Sequence, residues 1–271
     1  MVIAMSHSRP FNALWRLLVT GFCFAGFAIG GGLLSAIILP AVALLPGTRQ
    51  ERRNRVRRTL GSGYGLLIRI LCITRTMTLQ VSGIERLRAH PGSLILANHP
   101  TLIDVVILLW LYPEACCVVK STLWQNPFYW GIVRLTGYVN NGAPESLIKD
   151  CTARLNEGES LLVFPEGTRT RPGKPMHFVR GAAYVAMAAS RPILPVIITC
   201  DPPTLTKGAP WYHIPPRAFC MTVTVLEPLE IENLVAQPES TPIGARHLTH
   251  ALENFFKNEL INRQPTALAA N

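Results

Sequence analysis

Charge is scarce in this sequence. Of 271 residues only 15% are charged, against 49% apolar. That composition excludes a disordered chain and leans toward membrane contact. Acidic residues are scarcer still, 16 against 26 Lys and Arg, for a net charge of +10. The balance points to anionic partners: nucleic acid, anionic lipid or an acidic protein. No Cys-x-x-Cys pair occurs among Cys23, Cys72, Cys116, Cys117, Cys151, Cys200 and Cys220. An odd, scattered, apolar-flanked set argues for a reducing compartment and packing roles. No Gly-x-Ser-x-Gly elbow is present, so a serine acyl-enzyme is not indicated. Gly61-Ser62-Gly63-Tyr64-Gly65 lacks the preceding strand and the spacing of a dinucleotide loop. No internal repeat stands out.

One long stretch lacks charge altogether. Leu17 to Leu45 holds none, with Arg9 and Arg16 before it and Arg49, Arg52, Arg53, Arg55, Arg57 and Arg58 after it. A span needs about 20 apolar residues. A straight helix over this stretch would run about 44 Å at about 1.5 Å per residue, longer than the ~30 Å hydrocarbon core. Gly30-Gly31-Gly32 and Pro40 offer places to bend. A tilted single span or a shallow helical hairpin fits. The apolar region is too long for a signal peptide, despite the small residues at Ala41-Val42-Ala43. By the positive-inside rule the Arg cluster marks the cytoplasmic side, so the rest of the chain is expected on the cytoplasmic side of a bacterial-type inner membrane. The cluster can also meet anionic headgroups, at about 1 kcal/mol per basic residue. Nucleic-acid binding lacks aromatic interleaving or a recognised module and is not expected. Tyr64 to Ile73 is apolar on most sides and reads as a helix on the membrane or closing the domain. The division expected is 1–48 anchor, 49–74 basic and amphipathic membrane-surface linker, and 75–271 main domain.

From about Thr76 strands alternate with helices. Met77–Val81, Leu94–Leu96, Ala115–Val119, Ser160–Phe164, Ile193–Thr199 and Ala218–Leu226 read as strands, with Tyr138-Val139 a short one. Leu102–Trp110, Leu123–Leu135, Glu145–Leu155, Phe178–Ala189 and Thr241–Ile261 read as helices. The alternation predicts an α/β fold, a sheet flanked by helices. Pro202 to Pro216 reads as a loop flanking the site, and Gln264–Asn271 as a frayed tail.

Two stretches carry chemistry. In SLILANHPTLID (93–104) Pro100 disfavours helix at His99, so His99 falls in a strand-to-helix turn and Asp104 in the first turn of the helix. Four residues between them let one turn bring them together. A neutral imidazole is a general base near pH 7, and a carboxylate on its other nitrogen fixes the tautomer. The plainer alternative is a loop histidine beside a helix-capping aspartate. In FPEGTR (164–169) Gly167 allows a tight turn or close ligand approach, and Arg169 offers a fork for phosphate or carboxylate. The plainer alternative there is a surface ion pair. Lys120 follows a strand and reads either as a phosphate or thioester-donor contact or as a solvated strand end. The aromatics Trp124, Phe128, Tyr129 and Trp130 read as an acyl groove or as core. His247, His250 and Glu253 share a helix without a further ligand set, so no metal site is expected.

Taken together, NHPTLID (98–104) and FPEGTR (164–169) resemble the motifs of the lysophosphatidic-acid-acyltransferase-like glycerolipid acyltransferases. ILPVII (193–198) looks like a third, weaker family element. The resemblance covers roughly residues 75 to 230. It implies the glycerolipid-acyltransferase-type sheet and acyl transfer with His99 and Asp104 as catalytic pair. It also implies acceptor contacts at Glu166, Gly167 and Arg169; Asn98, Lys120 and Thr168 stand beside them as further candidate substrate contacts. The acyl donor would be acyl-CoA or acyl carrier protein, membrane lipids the partners, and no cofactor or metal is implied.

One departure bears on the acceptor. Family members that use lysophosphatidic acid carry a basic residue in a Gly-x-x-Phe-Ile-Asp-Arg motif between the two above. Here Gly137-Tyr138-Val139-Asn140-Asn141-Gly142 has none. A phosphate-free acceptor, of lyso-ornithine type or in an aryl-polyene-type pathway, therefore stands beside lysophosphatidic acid. A lipid-binding protein without catalysis and a hydrolase using water are the other classes. The intact His99, Asp104, Glu166 and Arg169 argue against mere binding.

Overall fold

The computed structural model describes residues 10–171, 173–231, 234 and 241–263. Arg9 and the tail Gln264–Asn271 lie outside them. The chain opens with α1 (Pro10–Leu33), a π-helical turn (Leu34–Ile38) and α2 (Leu39–Leu44). These form one helical path without reversal. Pro40 cannot donate to the carbonyl four residues back. The irregularity falls just upstream, where Leu39 N–H reaches past to Leu34 O. Among the described residues, Asn12–Leu44 is the one helical run long and apolar enough to cross a membrane. Leu18, Phe22, Ile29, Leu33 and Ile37 are exposed along one face of it, while Val19, Cys23 and Leu39 are buried.

Next comes α3 (Arg49–Ile73), started by a capping box in which Thr48 and Glu51 bond reciprocally. The expected membrane-surface stretch is thus one 25-residue helix. Its arginines divide by helical face. Arg49, Arg52 and Arg58 are exposed, but Arg53 and Arg57 are buried with Val56 and Leu60. The inward pair meets Glu159: Arg53 Nη1 lies 3.2 Å from Oε1 and Arg57 Nη2 2.7 Å from Oε2. Arg57 also donates to Thr136 O (2.8 Å) and Glu114 O (2.9 Å). The Gly61–Gly65 stretch lies inside α3, where small residues admit a neighbouring helix. A Cβ on Gly61 would stand 2.9 Å from Leu109 O, and one on Gly65 2.5 Å from Trp110 Nε1.

The alternating part runs β1 (Met77–Ser82), α4 (Ile84–Ala89), β2 (Leu94–Ala97), α5 (Asp104–Leu111), β3 (Cys116–Val119), α6 (Ser121–Gln125), α7 (Trp130–Leu135), β4 (Val139–Asn140), α8 (Pro144–Asn156), β5 (Leu161–Val163), α9 (Gly181–Ala189), β6 (Ile193–Asp201), β7 (Phe219–Val225) and α10 (Thr241–Asn262). The expected helix over Leu123–Leu135 is broken into α6, a 3₁₀ turn (Pro127–Tyr129) and α7. Pro127 disfavours helix at Asn126, whose Oδ1 instead accepts from Phe128 N (2.9 Å). The helix expected from Phe178 starts only at Gly181. Phe178 is a buried loop residue whose N–H donates to Glu253 (2.9 Å). All seven cysteines are free thiols.

The seven strands order β1-β7-β6-β2-β5-β3-β4, every pair parallel except β6–β7. β2 is buried on both faces, which accounts for its uninterrupted Leu94-Ile95-Leu96 run. Each such side chain contributes roughly 1.5–3 kcal/mol of burial as an upper bound. Register brings the two motifs together. Leu94 pairs with Leu161 and Leu96 with Val163, so β2 and β5 run side by side and end together. The turns beginning at Asn98 and Phe164 therefore leave the sheet as neighbours, at the carboxyl ends of the strands, where open parallel sheets hold their ligands.

Candidate active site

Asp104 is the first residue of α5 and is fully buried. Its Oδ2 lies 2.9 Å from His99 Nδ1 and accepts from Thr101 N (2.7 Å). Thr101 Oγ1 donates to Oδ1. The helix N-terminus favours a carboxylate here. Burial pushes the Asp104 carboxyl above its ordinary range, and the His99 and Thr101 donors work against that push. With Nδ1 committed to Asp104, Nε2 is the nitrogen left for a substrate proton. The His99 ring stacks on Phe164, centroids 4.3 Å apart, which fixes its plane. Thr101 stands three residues before Asp104, the spacing of a capping box, and that signal could have placed it in the site from sequence.

The two motifs are tied through backbone. Glu166 Oε1 accepts from His99 N (2.9 Å), and Thr170 Oγ1 donates to the same carboxylate (2.9 and 2.8 Å). Thr170 N donates to His99 O (2.7 Å). Asn98 clasps β6, donating to Ile198 O (2.8 Å) and accepting from Ile198 N (2.7 Å). Asn98 and Glu166, expected among the substrate contacts, are thus both buried with their polar ends engaged by the protein. They brace the turn that carries His99. Burial also raises the Glu166 carboxyl above its ordinary range.

His99, Lys120, Gly167, Thr168 and Arg169 line one cavity of about 500 Å³. Gly167 closes the Phe164–Gly167 turn with φ +65° and its N–H on Phe164 O (3.0 Å), a backbone setting that suits glycine. Lys120 is exposed at the end of β3 and still forms part of the cavity wall. Arg169 Nη1 donates to Leu205 O (3.0 Å) and Thr206 O (3.2 Å), so part of its fork holds the 202–216 loop. Lys207, on that loop, lines the same cavity, although no motif in the sequence marks it.

A second cavity, about 450 Å³, is walled by apolar residues of α1, α3 and α5, including Phe24, Phe27, Leu67 and Leu71. The two cavities share Leu102, Val105, Val119 and Leu123 in their walls. Of the aromatics between Leu123 and Leu135, Tyr129 lines this second cavity, whereas Phe128 and Trp130 are exposed. Among the described residues no His/Cys/Asp/Glu group is arranged to hold a metal.

A family model described as Acyltransferase matches residues 78–199. A 1-acyl-sn-glycerol-3-phosphate acyltransferase of Saccharomyces cerevisiae is 31% identical over 169 residues, 58% of this chain and 54% of that protein. One of Limnanthes douglasii is 26% identical over 215 residues, 76% of this chain and 70% of that protein. One of Cocos nucifera is 27% identical over 119 residues, 41% of this chain and 38% of that protein, so the chain spans between 38% and 70% of the length of these relatives. A solved 1-acyl-sn-glycerophosphate acyltransferase of Thermotoga maritima superposes with TM-score 0.66 at 20% identity, covering 95% of this chain and 99% of that one. That likeness concerns the fold. Residues 98–104 and 164–169 both fall within the 78–199 stretch that matches the Acyltransferase family model.

Proposed function

We propose that the protein is a membrane-anchored O-acyltransferase. It moves a fatty acyl chain from a thioester, on coenzyme A or acyl carrier protein, to a hydroxyl of a lyso-glycerophospholipid such as 1-acylglycerol-3-phosphate. The observation that carries this reading is the His99 Nδ1–Asp104 Oδ2 bond of 2.9 Å, which leaves Nε2 as a proton acceptor in a cavity bordered by cations. His99 Nε2 takes the acceptor's hydroxyl proton as the oxygen attacks the thioester carbonyl. The carbon–sulfur bond of the tetrahedral intermediate then breaks, and the imidazolium returns the proton to the departing thiolate. Such a base contributes roughly 10²–10⁴-fold.

Arg169, Thr168 and Gly167 border the acceptor beside His99, and the adjoining apolar cavity takes an acyl chain. The run Asn12–Leu44 anchors the enzyme where its lipid substrates lie, with the catalytic domain on the cytoplasmic side of a bacterial-type inner membrane. The outward Arg49, Arg52 and Arg58 agree with that orientation.

A phosphate-free acceptor is the rival reading, favoured by Asn141. This uncharged residue lines the site cavity, with its Oδ1 held by Ser121 N (2.9 Å). Thiol release from acyl-CoA and acyl carrier protein by the detergent-purified protein separates the two. Assayed across lyso-lipids with and without phosphate, the phosphate reading expects transfer to 1-acylglycerol-3-phosphate. Transfer confined to phosphate-free acceptors would replace that acceptor, and free fatty acid without acylated lipid would replace transfer by hydrolysis.

A further inference from the structure

Three cations line the His99 cavity, and the charge of a fourth is felt among them. Lys120, Arg169 and Lys207 line it, and the charge of Arg171 reaches Lys207 together with those of Lys120 and Arg169. They come from three separate segments: the end of β3, the turn after β5 and the loop after β6. Among the described residues none of the four is paired with a carboxylate within ion-pair distance. Desolvation presses Lys207 to lose its proton, and the like charges of Arg171, Lys120 and Arg169, without a counter-ion, add to that pressure. A bound anion would offset the repulsion among them.

Lys207 is held where it stands. Leu205 O accepts from Leu102 N (3.0 Å), in the His99–Asp104 turn, and from Arg169 Nη1 (3.0 Å). Leu205 adopts φ +51°, a conformation an L side chain rarely takes, and is buried. The loop is therefore clamped to both motifs two residues before the lysine. Strained backbone kept by surrounding contacts is a feature of sites that position a group.

We infer that Lys207 completes, with Arg169 and Lys120, a phosphate-monoester site beside His99, supplying from the 202–216 loop the positive charge that Asn140 and Asn141 lack. The inference rests on the proposed acyl transfer and extends it to a residue and a substrate class. The monoester belongs either to the acceptor, as in 1-acylglycerol-3-phosphate, or to the 3′-phosphate of coenzyme A.

Lys207→Gln and Lys207→Arg, in the full detergent-purified chain, test it. If the phosphate is the acceptor's, Lys207→Gln lowers the kcat/KM ratio of 1-acylglycerol-3-phosphate over 1-acylglycerol about 10- to 100-fold, through KM, and Lys207→Arg restores most of it. If it is the donor's, the same change appears in the ratio of acyl-CoA over acyl-pantetheine. A binding measurement stands apart from turnover. Thermal stabilisation by glycerol 3-phosphate (acceptor) or by adenosine 3′,5′-bisphosphate (donor) is expected in the wild type and weakened in Lys207→Gln. Unchanged ratios with unchanged stabilisation overturn the Lys207 site and leave acyl transfer standing. A wild type with no transfer overturns the proposed function, and the stabilisation then decides Lys207 alone: absent or unaltered by Lys207→Gln, the site is overturned.

Discussion

Asp104→Asn is expected to lower acyl transfer about 10³- to 10⁴-fold while the protein still folds. The amide would present an N–H to His99 Nδ1, where the carboxylate now lies 2.9 Å away. The imidazole proton would then move to Nε2, the nitrogen that must accept. Shape and burial barely change, so the loss should appear in kcat. Stability carries a second, independent sign. The Asp104 carboxyl is raised above its ordinary 3.8 by burial, so its contribution to stability is complete below that value and is lost as pH rises through the higher folded value. The variant does not titrate there. Its melting temperature relative to wild type should therefore move in the variant's favour as pH rises from about 4 toward neutrality. Thermal melts of the two proteins across that window check this.

The second large effect lies away from the chemistry. Glu159→Ala should destabilise the protein by about 3–5 kcal/mol. Its carboxylate, almost wholly buried, faces Arg53, Arg57 and Arg154 at 3.2, 2.7 and 3.4 Å. Removing it leaves the Arg57 guanidinium, whose side chain is fully buried, with two backbone carbonyls and the Tyr138 ring but no counter-charge from Glu159. For a chain of this size the loss corresponds to a fall in melting temperature on the order of 10 °C. Glu157→Ala is the matched control. That carboxylate also reaches Arg53 and Arg154, but it is 56% exposed, and an exposed pair contributes about 0–1 kcal/mol. A similar fall in both variants would mean that the cluster acts through surface charge and not through burial.

The His99–Asp104 contact is legible in the sequence because it is local: the two residues lie on one turn, and Pro100 punctuates it. The strand and helix order followed from apolar runs, because parallel strands buried on both faces have no polar interruptions. What stayed hidden depends on strand neighbours. Asn98 finds Ile198 because β2 lies beside β6, and His99 N finds Glu166 because β2 lies beside β5. No local pattern encodes that order, so both side chains read as free for substrate. Lys207 stayed hidden because a proline-rich loop has no period, and its place is set by carbonyl contacts at Leu205. Arg53 and Arg57 depart from the expected headgroup contact for a different reason. Their charge suggested a headgroup contact, yet they share a helical face with Val56 and Leu60, and that spacing does place them inward.

The measurement closest to the central claim is acyl transfer by His99→Ala beside wild type, with labelled acyl-CoA and 1-acylglycerol-3-phosphate, in protein shown to be folded by its melting curve. If His99 Nε2 takes the acceptor's proton, the variant's kcat falls about 10²- to 10⁴-fold, with KM for either substrate little changed. Acylated product formed at a rate within a few-fold of wild type would contradict the account: the 2.9 Å pair would then be a structural cap of α5, and the base would have to be sought elsewhere.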